Sequence, residues 1–115
     1  MHIHRFESPE KLGTAAAQHA SSLIQSTIQA KGHANIILAT GASQFDMLKQ
    51  LVREKPIDWT RVVAFHLDEY LNISLDHPAS FRKYLKERFV DLLPDLGAFH
   101  YIEGDSPDAK AECRR

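Results

Sequence analysis

Two apolar runs that end abruptly at small or charged residues constrain this chain most. They are Ile36-Ile37-Leu38-Ala39-Thr40-Gly41-Ala42-Ser43 and Val62-Val63-Ala64-Phe65-His66-Leu67-Asp68-Glu69-Tyr70. The first reads as a buried strand entering a tight Thr-Gly-Ala-Ser turn, with a helical pattern from Gln44 onward. Strand, loop and helix in that order aim backbone N–H groups and the positive end of a helix dipole at one point. The second run places two carboxylates at the C-terminal end of another buried strand. In parallel α/β sheets, ligands sit outside those strand ends. An anion cradle and a carboxylate on one rim point to a phosphorylated small molecule and proton-transfer chemistry.

The rest of the chain alternates in the same way. Residues 2–6 alternate His, Ile, His, Arg, Phe, as a short strand does. Ser8-Pro9-Glu10 is a helix start: an N-cap, a proline at the first position, an acid in the first turn. Ala15, Ala16, Leu23, Ile24 and Ile28 mark its apolar stripe, and Lys31-Gly32 closes it. The spacing predicts a strand over 35–39 and a helix over 44–54 with Phe45, Leu48, Leu51 and Val52 inward. It predicts a strand over 61–66, a loop over 71–76 and a helix opened by His77-Pro78. On that helix Phe81, Tyr84, Leu85, Arg88, Phe89 and Leu92 share a face, with the aromatics in the core. A fourth strand is expected over 99–102. Ser106-Pro107-Asp108 opens one more helix, which Arg115 leaves after about two turns. A βαβα pattern that stops while opening a helix reads either as truncated, which the resemblance below favours, or as a frayed C-terminal tail.

Composition narrows the class. At 115 residues the chain is one domain. A net charge of −1, with Lys and Arg scattered among Asp and Glu, makes no case for nucleic acid. No apolar run approaches the ~18 residues of a membrane span. No signal-peptide h-region appears, and the cytoplasm is expected. Cys113 is the only cysteine, which rules out an intrachain disulfide and suits a reducing compartment.

The candidate site residues each admit two readings. Asp68 is either a placed base, beside apolar Leu67 and Phe65, or half of an exposed acidic pair capping a loop. Glu69 points the opposite way from Asp68 on extended backbone and is read as structural. Thr40, Gly41, Ala42 and Ser43 are either a phosphate loop or a plain turn with Ser43 as N-cap. His66 reads as a packed strand residue and His77 as a helix starter. His2 and His4 share a strand face, with too few further ligands for a metal.

Four segments carry a resemblance: Leu38-Ala39-Thr40-Gly41-Ala42-Ser43, Val63 to Tyr70, His77-Pro78-Ala79-Ser80-Phe81 and Asp108 to Arg114. Through them the chain resembles the N-terminal half of the glucosamine-6-phosphate deaminases (isomerases), a family grouped with the 6-phosphogluconolactonases. Phe65-x-x-Asp68-Glu69-Tyr70 followed by His77-Pro78-x-Ser80-Phe81 resembles the deaminase branch; the lactonases typically have Asp-Glu-Arg. The family usually carries a second glycine where Ala42 stands, and often asparagine where His66 stands.

The resemblance implies an α/β fold: a Rossmann-like parallel sheet with flanking helices, part of a larger three-layer domain of which residues 1–115 are the N-terminal part. It implies conversion of glucosamine 6-phosphate, or a close amino sugar phosphate, to fructose 6-phosphate and ammonia, without a metal or other cofactor. Thr40 to Ser43 would hold the sugar phosphate, and Asp68 would move a proton between C1 and C2. The family's ring-opening motif, Gly-x-Gly-x-Asp-Gly-His, is absent from these residues. A partner of the phosphorylated amino-sugar class is therefore expected, with no nucleic acid and no membrane, and a homo-oligomer is compatible. A lactone hydrolase of the same fold and a non-catalytic sugar-phosphate sensor stand as alternatives.

Overall fold

Three parallel strands, β1 (Ala34–Leu38), β2 (Val62–His66) and β3 (Ala98–His100), form one sheet in the order β1-β2-β3. The computed structural model describes residues 1–115. The helices are α1 (Pro9–Lys31), α2 (Phe45–Leu51), α3 (Phe81–Arg88) and α4 (Ala109–Glu112), so α2 and α3 make the crossovers between strands. The parallel α/β expectation holds, with helix and strand ends shifted by a few residues. No helix is long and apolar enough to cross a membrane.

One face of the sheet builds the core. Alternation turns Ala34, Leu38, Val62 and Ala64 to the same side, where Leu48, Leu51, Leu85 and Phe89 bury them. Trp59 meets Phe89 edge to face at 5.5 Å. The opposite face carries Asn35, Ile37, Val63, Phe65 and His100 and contributes nothing to the buried core; only Glu112 of α4 and Arg115 approach its Phe65–His100 edge. Ile37 is 65% exposed there, and Phe65 stacks on His100 at 4.9 Å. Parallel sheets are ordinarily covered on both faces. Within these residues two of the three expected layers are present.

The long helix α1 begins as its sequence directs. Ser8 accepts from Lys11 N, Pro9 sits at the first position, and Gly32 closes the helix at φ 80° with its N–H on Ile28 O. Its buried stripe differs from expectation. Gly13, Ala17, Ser21 and Ile24 face inward, while Ala16 and Leu23 are exposed. The reason is distance. A Cβ on Gly13 would lie 2.6 Å from Asp46 Cβ and 2.8 Å from Asp46 C, so the α1–α2 crossing admits only small residues. Hydrophobicity found the C-terminal half of the stripe, where Ile24 is buried and Ile28 packs against the core, and missed the N-terminal half, where close approach rather than apolar area decides the face.

Three other expectations are corrected. Residues 2–6 form no strand, since no neighbouring strand offers them a ladder, and the sheet has three strands rather than four. Helix α3 starts at Phe81, not at His77: Ser80 supplies the capping hydroxyl, while His77 Nδ1 accepts from Ala79 N in the preceding turn. Asp108, not Ser106, caps α4 by accepting from Ala111 N.

The tight crossing gives the first prediction. Gly13→Ala should destabilise the fold by about 1–3 kcal/mol, because backbone on α2 has to move. Gly32→Ala meets no atom within 4 Å and suffers only left-handed strain, about 1 kcal/mol. Urea unfolding midpoints at constant slope would rank the two variants.

Candidate functional site

The site grows from one rung of the sheet. Leu38 pairs with His66, and Leu67 N continues the ladder by donating to Leu38 O at 3.1 Å. Thr40 and Asp68 each lie two residues beyond that pair. The loop and the acid therefore leave neighbouring strands at the same rim, where strands run about 4.8 Å apart.

The loop is shaped by Gly41. Its φ of 138° with ψ 161° belongs to backbone that only glycine adopts readily. Residues Ala42–Gln44 then form a 3₁₀ turn that leads into α2, with Gln44 N donating to Gly41 O at 3.0 Å. Ala42 and Ser43 are exposed. Ser43 does not cap α2 as a plain turn would require. It sits inside the 3₁₀ turn, and no side chain caps the helix. Thr40 Oγ1 is buried without a hydrogen-bond partner. Tyr84 of α3 reaches across and donates its hydroxyl to Gly41 O at 3.1 Å. Burial raises the Tyr84 pKa, against the opposing charge of Arg88, so the phenol stays a donor.

The acidic pair divides its work. Asp68 and Leu67 are exposed, so the shielding expected around Asp68 is absent while the sheet face beside it lies open. The Glu69 side chain is fully enclosed. Its carboxylate accepts from Ser80 Oγ at 2.9 Å, Phe81 N at 3.0 Å, Arg82 N at 2.9 Å and Tyr70 N at 3.0 Å. Burial pushes the Glu69 carboxyl upward, but the N–H groups of Arg82, Phe81 and Tyr70 and the Ser80 hydroxyl outweigh it. They hold the pKa below the ordinary value. The expected structural role of Glu69 is thus right, and it is a buried helix-start role rather than a solvated one.

Arg82 and Gly104 complete the support. Arg82 is buried and donates through Nη2 to Asp105 Oδ1 at 2.7 Å and Ile73 O at 3.2 Å. Gly104 lies under the segment after Asp68: a Cβ there would collide with Tyr70 O and stand 2.7 Å from Glu69 Cγ. His66 is buried, with Nδ1 accepting from Ile102 N at 3.4 Å and Nε2 unpartnered. Desolvation lowers its pKa, although the charges of Glu69 and Asp68 pull the other way. Glu69, Tyr84, Arg82 and Gly104 were not marked as site residues by the sequence. Only Glu69 carried a signal, its place beside Asp68.

Comparisons with known proteins follow this geometry. Residues 7–115 match the family of glucosamine-6-phosphate isomerases/6-phosphogluconolactonase. The chain belongs to this family. Both site segments of this isomerase/lactonase family member fall inside the matched residues. A glucosamine-6-phosphate deaminase of Exiguobacterium sp. (strain ATCC BAA-1283 / AT1b) is 33% identical over 105 residues, covering 91% of this chain and 41% of that protein. One from Bacillus pumilus (strain SAFR-032) is 34% identical over 120 residues, covering 100% and 48%. A monomeric glucosamine-6-phosphate deaminase superposes with a TM-score of 0.79 at 28% identity, over all of this chain and 48% of its own. A 6-phosphogluconolactonase from Shewanella baltica OS155 superposes at 0.81 with 24% identity, over 95% and 46%, a likeness of fold. The chain spans less than half the length of these relatives.

The buried titrating groups give a pH prediction. A histidine with lowered pKa binds fewer protons folded than unfolded, so stability rises with pH through its ordinary value of 6.5 and falls below it. Glu69, also lowered, adds stability above its ordinary 4.5 that is lost as pH drops through its folded value. Urea midpoints should decline in two stages on acidification, near pH 6.5 and then below 4.5. His66→Gln should remove the upper stage and leave the lower. An identical pH profile for this variant would show that His66 contributes nothing to the upper stage.

Proposed function

We propose that residues 1–115 are the N-terminal part of a single sugar-phosphate isomerase/deaminase domain. In our reading the whole protein is an enzyme that converts glucosamine 6-phosphate, or a close amino sugar phosphate, and water to fructose 6-phosphate and ammonia. The observation that carries this reading is the division of the acidic pair. Glu69 takes the donors of α3, and Asp68 is left exposed on the same rim as the Gly41 loop. The relatives at 33–34% identity bear the deaminase name. Likeness to the lactonase is of fold alone, and the Asp68-Glu69-Tyr70 and His77-Pro78 pattern favours the deaminase.

Each residue has a role. Thr40, Gly41, Ala42 and Ser43 bind the phosphate through backbone N–H groups and the Thr40 and Ser43 hydroxyls. Asp68, as carboxylate, takes the C2 proton of the open-chain sugar and a proton returns at C1. That shift leaves an imine at C2, which water hydrolyses with release of ammonia. In the whole domain the missing layer covers the open sheet face and encloses Asp68, which supplies the shielding a base needs.

Asp68→Asn in the whole protein keeps shape and removes the base. kcat should fall by about 10²–10⁴-fold with KM nearly unchanged. Exchange of the C2 hydrogen in D₂O, followed by NMR, should slow in proportion. Wild-type exchange in this variant would sink the assignment. Ser43→Glu should do the opposite and raise KM strongly, since it places a negative charge where phosphate binds. The 115-residue chain alone, without a ring-opening motif, should release no ammonia from glucosamine 6-phosphate.

A further inference from the structure

The two halves of the candidate site lie on different strands, yet both are tied to one element. Helix α3 spans only Phe81–Arg88. At its start, the N–H groups of Phe81 and Arg82 and the Ser80 hydroxyl hold the Glu69 carboxylate, the residue after Asp68. Phe81 also packs its ring on Tyr70 at 4.8 Å. Three residues on, Tyr84 donates to Gly41 O, the residue that bends the loop. The Tyr84 ring stacks on Phe45 at 5.5 Å, and the Arg88 guanidinium covers Phe45 at 4.1 Å. Residues three apart share a helix face, about 4.5 Å along the axis. Acid and loop are therefore fastened one turn apart on a single rigid face.

We infer that α3 is a strut shared by both halves of the site, with Glu69 and Tyr84 as positioning residues that set where Asp68 and the Gly41 loop stand relative to each other. Neither residue touches substrate in this scheme. Glu69 acts through the backbone it shares with Asp68, and Tyr84 acts through the Gly41 carbonyl. Because Gln44 N and Tyr84 Oη converge on that carbonyl, it is held by two donors. The inference rests on the proposed function for its kinetic consequences, and on geometry alone for its mechanical ones.

Tyr84→Phe is the clean test, because it removes one hydroxyl and keeps the stack with Phe45. In this chain, amide exchange at Gln44 should speed up while Phe81 and Arg82 keep their protection. In the whole protein, KM for the sugar phosphate should rise about three- to tenfold, the scale of one lost hydrogen bond, with kcat unchanged. Glu69→Gln should give the mirror image: faster exchange at Phe81 and Arg82, and kcat down by at least tenfold with KM nearly unchanged. A residue that only stabilised the fold would not split kcat from KM in opposite directions. Unchanged exchange at Gln44, or an unchanged KM, in Tyr84→Phe overturns the strut. If Glu69→Gln fails to fold, Tyr84→Phe decides alone. If the wild-type whole protein turns over no amino sugar phosphate, the deaminase reading falls, and the exchange pattern, which needs no substrate, still decides for or against the strut.

Discussion

A carboxylate sealed from water survives only if donors replace the water it lost, and the Glu69 side chain meets that demand with three backbone N–H groups and a hydroxyl. An isolated buried charge would cost many kcal/mol or protonate. Satisfied in this way, it becomes a fastening. It occupies the N–H groups that the first turn of α3 cannot satisfy internally. It sets where α3 begins and turns the chain after β2 away from the sheet. Its neighbour Asp68 stays exposed. Arg82, held by Asp105 and by Ile73 O, and Gly104, pressed under Tyr70, brace the same segment from the other side.

The core behind this fastening is one-sided. Small residues on α1 let α2 approach until backbone nearly meets backbone, and the larger side chains of α2 and α3 fill the sheet face beneath. The far face keeps Ile37 and the Phe65–His100 stack in contact with solvent. That asymmetry explains the exposure of Asp68. The scaffold that positions the acid is present in these residues, and the acid itself stands in solvent.

Much of the architecture was legible. Apolar runs of β-branched and aromatic residues gave all three paired strands, and Ser8-Pro9 and Lys31-Gly32 bracketed α1 closely. Local chemistry decides those features, so local reading finds them. The misses were set by distant partners. The alternation in residues 2–6 resembles a strand, but a strand also needs a neighbour. His77-Pro78 resembles a helix start, but Glu69, eleven and twelve residues before Ser80 and Phe81, holds the start at those two residues. Tyr84 resembles a core aromatic until its hydroxyl is seen on Gly41, 43 residues away in sequence. Thr40 to Ser43 and Asp68 were put on one rim because each follows the C-terminal end of a parallel strand, while their supports were invisible without the fold.

Gly104 and Asp105 follow the last strand, more than thirty residues after Asp68, and they wedge under and beside the segment that carries it. A chain emerging from the ribosome would already hold its first two strands and the loop between them. The acid could not yet take its final place, because its floor would still be unmade. Closing so long a loop is an entropic cost that only later contacts offset. Both halves of the site thus depend on later chain: the cradle on Tyr84 of α3, and the acid's seat on the turn beyond the third strand.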